Sequence, residues 1–412
     1  MTRVVVVGAG VIGLCCAYSL RKCGLDVTVV DDGEPGHAAS HGNGGWICPS
    51  LSGPMPASDV RRSALRWLLQ PDSPLYVKVR PDLQFLRWLW AFWRKCNERD
   101  YLTGLDAIAR LNARTMELFD AMAADGVDFE MHKQGLLLLF RDDAVARKET
   151  RDLARMERYG YPPARWLRAP ELRTEEPVVS NAVVAGLLAP AERHVRPESL
   201  VRGLVRCLDE VGVAVHSCEA VRGFTRSNGR VTGVQTAKRR LPASHVVLAA
   251  GVWTAPLAAL VGSRLPLEAG KGYSVTMASG SIPITRPVYC PEARVGLSPY
   301  QGVVRVLGTM ELSGVNTTLS PRRIAALKAA PRGYLRDWRV ANVQEEWTGL
   351  RPLTPDGLPV IGPARAAENV ILATGHAMLG ITLGPATGEA VADIVAGQPD
   401  GDLLAPFRAD RF

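Results

Sequence analysis

The chain opens on an unbroken apolar run, Val4 to Val7, interrupted by Gly8, Gly10 and Gly13 and resumed at helical spacing as far as Leu20. A second run, Val27 to Val30, ends on Asp31 and Asp32. Short apolar runs bounded by glycine read as buried strands, so this stretch predicts strand, turn, helix and strand, one βαβ unit. From Gly33 to Gly45 the pattern dissolves into Gly, Ala and Ser, which predicts an irregular loop. Helical periodicity rich in Arg and Leu then runs from about residue 61 to 125, and Gly135 to Phe140 reads as a buried strand. Pro197 marks a helix start that opens Ser199 to Val211; strands are predicted at Ala214 to His216, Gly229 to Thr236 and Val246 to Ala249. Between Leu265 and about Trp347 strands dominate, among them Gly272 to Met277 and Val303 to Met310, as in a second, antiparallel sheet. Val370 to Gly375 is a last buried strand, followed by a helix to about Ala396.

The glycine spacing has a chemical meaning. In Gly8-Ala9-Gly10-Val11-Ile12-Gly13 the first glycine permits the tight turn, the second lets backbone approach a pyrophosphate, and the third lets helix and strand pack closely. Phosphates then sit at a helix N-terminus, where free N–H groups and the dipole favour anions. Asp31, 18 residues past Gly13, is placed to accept hydrogen bonds from an adenosine ribose, with Asp32 beside it. Ser40, Asn43, Gly44 and Gly45 offer donors without bulk to a flat ring or to phosphates. A signal peptide over residues 3–20 fits poorly, with one preceding positive charge and no small-residue cleavage site.

Composition narrows the alternatives. The 412 residues suffice for two domains, and 47% hydrophobic with 22% charged residues is ordinary globular usage. The net charge of +8 comes from dispersed arginines with no block of like charge, which argues against nucleic acid as a partner. Eight cysteines show no CxxC pair and no zinc or iron–sulfur spacing, so no metal is expected and reduced thiols in a cytoplasmic protein are. Leu83 to Trp93 is tryptophan-rich and flanked by Arg87, Arg94 and Lys95. It reads either as a core or lid helix or as a segment lying peripherally in a lipid interface.

Val-Gly-Ala-Gly-Val-Ile-Gly at 7–13, Ala-Ala-Gly-Val-Trp-Thr at 249–254, Lys-Gly-Tyr-Ser at 271–274, the run from Trp347 to Gly362 and Thr-Gly-His-Ala-Met-Leu-Gly at 374–380 together resemble the FAD-dependent D-amino-acid oxidase superfamily. Bacterial D-amino-acid dehydrogenase small subunits and glyphosate-type oxidoreductases are the most similar members. The resemblance implies an α/β fold, a discontinuous Rossmann-like FAD-binding domain plus a mixed or antiparallel-sheet substrate domain with a helical insertion. Residues 1–60, 195–264 and 345–412 would form the first and residues 61–194 and 265–344 the second. It implies oxidative deamination of D-amino acids, with a hydride passing from Cα to flavin N5 and the imine hydrolysed to a 2-oxo acid and ammonia. Secondary amines such as sarcosine, D-proline or hydroxyproline are the alternative substrates, and a flavin-dependent RNA-modifying or non-catalytic flavin protein the alternative from another class. Oxygen, a quinone or a partner protein would take the electrons.

By the same resemblance Arg351 binds the substrate carboxylate. Cofactor contacts extend to Val221, Ala250, Gly251, Trp253, Gly375, Met378, Leu379, Gly380 and Thr382, with His376 near the ring. Gly296 stands where glycine oxidases carry the tyrosine that partners the arginine, so Tyr273 or Tyr289 would have to substitute. Gly349 stands where sarcosine oxidases attach flavin through cysteine, so noncovalent FAD is expected.

Overall fold

The βαβ unit forms where the apolar runs place it: β1 (Arg3–Val7), α1 (Val11–Lys22) and β2 (Asp26–Val30). The computed structural model describes residues 2–57, 60, 75–78, 80–279 and 283–412. β1 lies inside a six-stranded sheet in the order Ala214–His216, β2, β1, His245–Leu248, Ala367–Thr374 and Val360–Ala364. The first five run parallel and the last antiparallel. Three distant parts of the chain therefore share one sheet, because a parallel strand needs a crossover before it can return.

Alternation assigns each face its cover. Val4 and Val6 point to a core shared with α1 and with the helix α3 (Gly380–Ala396). Val5 and Val7 point to the other side, where Val231 and Val234 of a small three-stranded sheet pack. α1 and α3 cross closely because Gly388 faces the backbone there: a Cβ on it would lie 2.4 Å from the Cys15 carbonyl oxygen.

The second sheet is larger, with nine strands, and mixed. One end of it pairs three antiparallel strands, β5 (Val343–Leu353), β3 (Glu268–Ala278) and β4 (Val303–Leu312), in that order with β5 at the edge. Val295–Tyr300 and Val288–Cys290 continue it, and Leu136–Phe140 joins by a parallel pairing. The stretch expected to be helical from about 61 to 125 resolves into α2 (Leu83–Lys95), Glu98–Asn112 and Thr115–Ala124. A short strand, Leu75–Val77, precedes them, and residues 61–74 lie outside the described residues. α2 begins where Asp82 accepts from the Gln84 and Phe85 amides, satisfying donors that a helix start leaves free.

Candidate active site

Two helices begin side by side. α1 starts after Gly10 and α3 after Leu379, neither with a side-chain cap, and a Cβ on Gly380 would lie 4.0 Å from Val11 Cγ1. Their amide ends make a place suited to anionic groups. Two positions of the turn into α1, 8 and 13, admit only glycine. Gly8 has φ +111° and a Cβ on it would meet the Ala249 oxygen at 2.5 Å, while one on Gly13 would lie 1.8 Å from the Gly8 oxygen. Val11 N–H donates to Ser40 Oγ at 3.0 Å, drawing the 33–45 loop to the helix start. Ile12 is half-buried behind it.

Asp31 closes this end. Its carboxylate accepts from Ala9 N–H at 2.6 Å and from Gly33 N–H at 2.8 Å, while Asp32 is exposed. Burial raises the Asp31 pKa against those two hydrogen bonds. Val221, half-buried, opens the small three-stranded sheet. Ala250 and Gly251 turn the chain at the end of the neighbouring parallel strand. Gly251 has φ +53°, its carbonyl accepts from Thr374 Oγ1 at 2.9 Å, and Trp253 is exposed.

The 40–46 loop crosses one face of the large sheet. Cross-strand partners run in a row from Tyr289 through Gly296, Leu307 and Ser274 to Trp347. Gly42 lies over Trp347 and Ser274, Gly44 over Leu307, and Trp46 over Gly296, each where a Cβ would clash. Asn43 Oδ1 accepts from Gly45 N–H and its carbonyl accepts from Arg305, at 2.8 and 2.9 Å. Gly44 O accepts from Ser298 Oγ and Tyr300 OH. Gly45, at φ +67°, passes so near Val195 that only glycine fits. The loop is thus fixed by sheet residues that its own sequence does not announce.

Arg351 stands on the same face. The strand partners Gly272 and Gly349 leave it flat: the guanidinium lies where a Gly272 Cβ would be, and the Trp347 ring lies over Gly349. Arg351 Nη1 donates to the Thr309 carbonyl at 3.0 Å and sits 3.9 Å from Met310 Sδ. No carboxylate among the described residues pairs with it. Burial alone pushes its pKa down to about 10, so it stays cationic at neutral pH.

Tyr273 belongs elsewhere. Odd positions of β3 point away from Gly272, so Tyr273 lies on the opposite face, its OH donating to Glu311 at 2.9 Å. That placement corrects the expectation that it partners Arg351. Tyr289 is on the site face, packed edge-on against Trp46 with ring centroids 5.8 Å apart. Trp46 fills the space above Gly296 and donates to Ser298 Oγ at 2.8 Å.

The 375–380 turn meets β5. Gly375 has φ +78° and Ala377 φ +48°, and Ala377 N–H donates to the Pro352 carbonyl at 3.0 Å. Met378 is exposed, and Thr382 Oγ1 bridges the Trp46 carbonyl and the Cys48 amide. His376 points inward, its Nε2 2.9 Å from Thr387 Oγ1, and burial pushes its pKa down to about 3. It is neutral and packs beneath the turn, which corrects its expected contact with substrate. Sequence reasoning missed Trp46, Trp347, Ser298, Tyr300 and Arg305; the glycines at 42, 44, 296 and 349 were their only local signal.

A glycine-lined strand-to-helix turn, two adjacent helix starts and a neighbouring sheet bearing an arginine with no carboxylate partner among the described residues fit a dinucleotide-dependent enzyme. The family model described as FAD dependent oxidoreductase matches residues 3–394, and the chain belongs to that family. It is an FAD-dependent oxidoreductase of the DAO superfamily. Among solved structures, glycine oxidase from Geobacillus kaustophilus is similar with TM-score 0.77 and 22% identity over 100% of both chains. Iminodiacetate oxidase from Chelativorans sp. BNC1 has TM-score 0.76 and 20% identity over 98% of each. L-proline dehydrogenase from P. horikoshii has TM-score 0.73 and 20% identity, covering 100% of this chain and 97% of that one. Among the described residues no helix is long and apolar enough to cross a membrane.

Proposed function

We propose that this chain oxidises the Cα–N bond of a small amino acid, with a D-amino acid as the substrate. One observation carries the reading: Arg351 is a half-buried guanidinium without a carboxylate partner among the described residues. A half-buried cation lacking a counter-charge gains from one, and a substrate carboxylate supplies two parallel charge-assisted bonds to its fork. That anchor fixes the position of Cα, which is the protein's main contribution where a cofactor carries the chemistry. Bound FAD supplies the acceptor for a hydride from Cα, and water hydrolyses the imine to a 2-oxo acid and ammonia.

The residues fit FAD as an extended, noncovalent guest. The α1 turn with Gly8, Gly10 and Gly13 would take the pyrophosphate, Asp31 the ribose, and the amides from Gly380 to Thr382 the flavin ring's anionic edge. Gly349 offers no thiol for attachment. The domain boundaries are proposed as residues 1–60, 195–264 and 345–412 for the FAD-binding part and the remainder for the substrate part.

A second reading is oxidation of a secondary amine. Iminodiacetate oxidase and L-proline dehydrogenase, both similar in fold, are named for secondary amines that carry a carboxylate, which Arg351 would anchor equally well. Anaerobic mixing of the holoprotein with D-amino acids, L-amino acids and N-alkyl glycines, followed by the flavin absorbance band, tests both. Bleaching by D-amino acids supports the first reading and bleaching by N-alkyl glycines alone replaces it with the second. No bleaching by any of them removes both.

A further inference from the structure

We propose that the outward face of α2 docks on an anionic lipid surface. This helix has two apolar faces. Inward, Phe85 and Trp88 are 2% and 4% exposed and join Leu312 and Leu353 in a small core. Outward, Leu83, Leu86 and Trp90 are 71%, 49% and 62% exposed. Spacings of three and four residues put these three on one side of the helix, opposite the buried pair. Packing among the described residues accounts for the first face and leaves the second to water, which disfavours it.

Charge selects the occupant. Arg87 and Arg94 stand exposed along one edge of the outward stripe, and the Arg94 guanidinium lies 4.7 Å from the Trp90 ring centroid. The acidic groups near the helix ends are engaged: Asp82 caps the first turn, and Asp100 accepts from Lys95 and Asn97. Aliphatic and indole groups edged by guanidinium suit a headgroup boundary, where the apolar side enters and the cations meet phosphate. Docking there has a consequence for the site. Trp88 Nε1 donates to the Leu353 carbonyl at 3.2 Å, and Met310, which touches Arg351, packs against the inner core of this helix. The lipid surface would thus meet the outer wall of the arginine's pocket.

The test uses the FAD-loaded full chain, sedimented with vesicles of phosphatidylglycerol and phosphatidylethanolamine or of phosphatidylcholine alone. Binding is expected with the anionic vesicles, falling as salt rises. It should weaken roughly tenfold or more in Leu86→Ser with Trp90→Ser, and likewise in Arg87→Glu with Arg94→Glu. Flavin absorbance should be unaltered in both, since all four side chains are exposed. Absence of binding to anionic vesicles overturns the proposal, as does equal binding by wild type and both variants. A wild-type dimer that dissociates in the Leu86→Ser, Trp90→Ser variant also overturns it, by giving the face to a second copy.

Discussion

Lys271 and Arg351 lie on adjacent antiparallel strands, β3 and β5, and point to opposite faces of one sheet. Lys271, 3% exposed, is fully served: its Nζ donates to Asn316 Oδ1 and the Thr318 carbonyl at 2.8 and 2.7 Å and lies 3.4 Å from Glu311. Glu311 in turn takes Tyr273 OH and Arg323 at 3.0 Å. Arg351 has a carbonyl and a thioether. On the function proposed above, the difference separates a charge the fold has completed from one left for a substrate carboxylate. Completed clusters hold structure together; incomplete ones bind.

Removing each cation should break this contrast in opposite directions. Arg351→Leu has the largest expected effect: the apparent substrate constant rises on the order of a hundredfold or more, because the substrate carboxylate loses both bonds. Thermal stability should hold or rise, since a partly desolvated cation without a counter-charge has been replaced by an apolar group. Steady-state kinetics beside a melting curve reads both; a large drop in melting temperature with an unchanged constant would reverse the assignment. Lys271→Met should do the converse, costing about 3 kcal/mol of stability by denaturant titration, because it strips a partner from a buried cluster. Its substrate constant should stay within about twofold of wild type. Smallest is Tyr273→Phe, which should cost about 1 kcal/mol for one buried hydrogen bond and leave the substrate constant unchanged. A raised constant there would return Tyr273 to the substrate.

The βαβ unit and its glycine turn were legible because their rules are local. Gly8 takes a positive φ and Gly13 closes on the Gly8 carbonyl within one turn, and Val27 to Val30 follow a strand's period of two, so these could be read from neighbours in sequence. The face of β3 was not. Choosing between Tyr273 and Tyr289 needs the register of β3 against β5 and of Val288–Cys290 against Val295–Tyr300, which no single strand specifies. His376 misled for a similar reason: its neighbour, Thr387, is a loop and two helical turns further on. The loop's supports, Arg305 and Tyr300, lie more than 250 residues from Asn43 and Gly44. α2 reads from sequence as either a core or lid helix or a lipid-interface segment, and its structure buries one of its two apolar sides.

The Trp347 indole, held between Gly42 and Gly349, works as a shim that sets the height of the 40–46 loop above the sheet face that carries Arg351. Three positions from two distant parts of the chain are therefore bound to a single mutational fate. A side chain at either glycine displaces the ring, and a smaller residue at 347 lets the loop sink, so a lineage that trades one must trade the others with it.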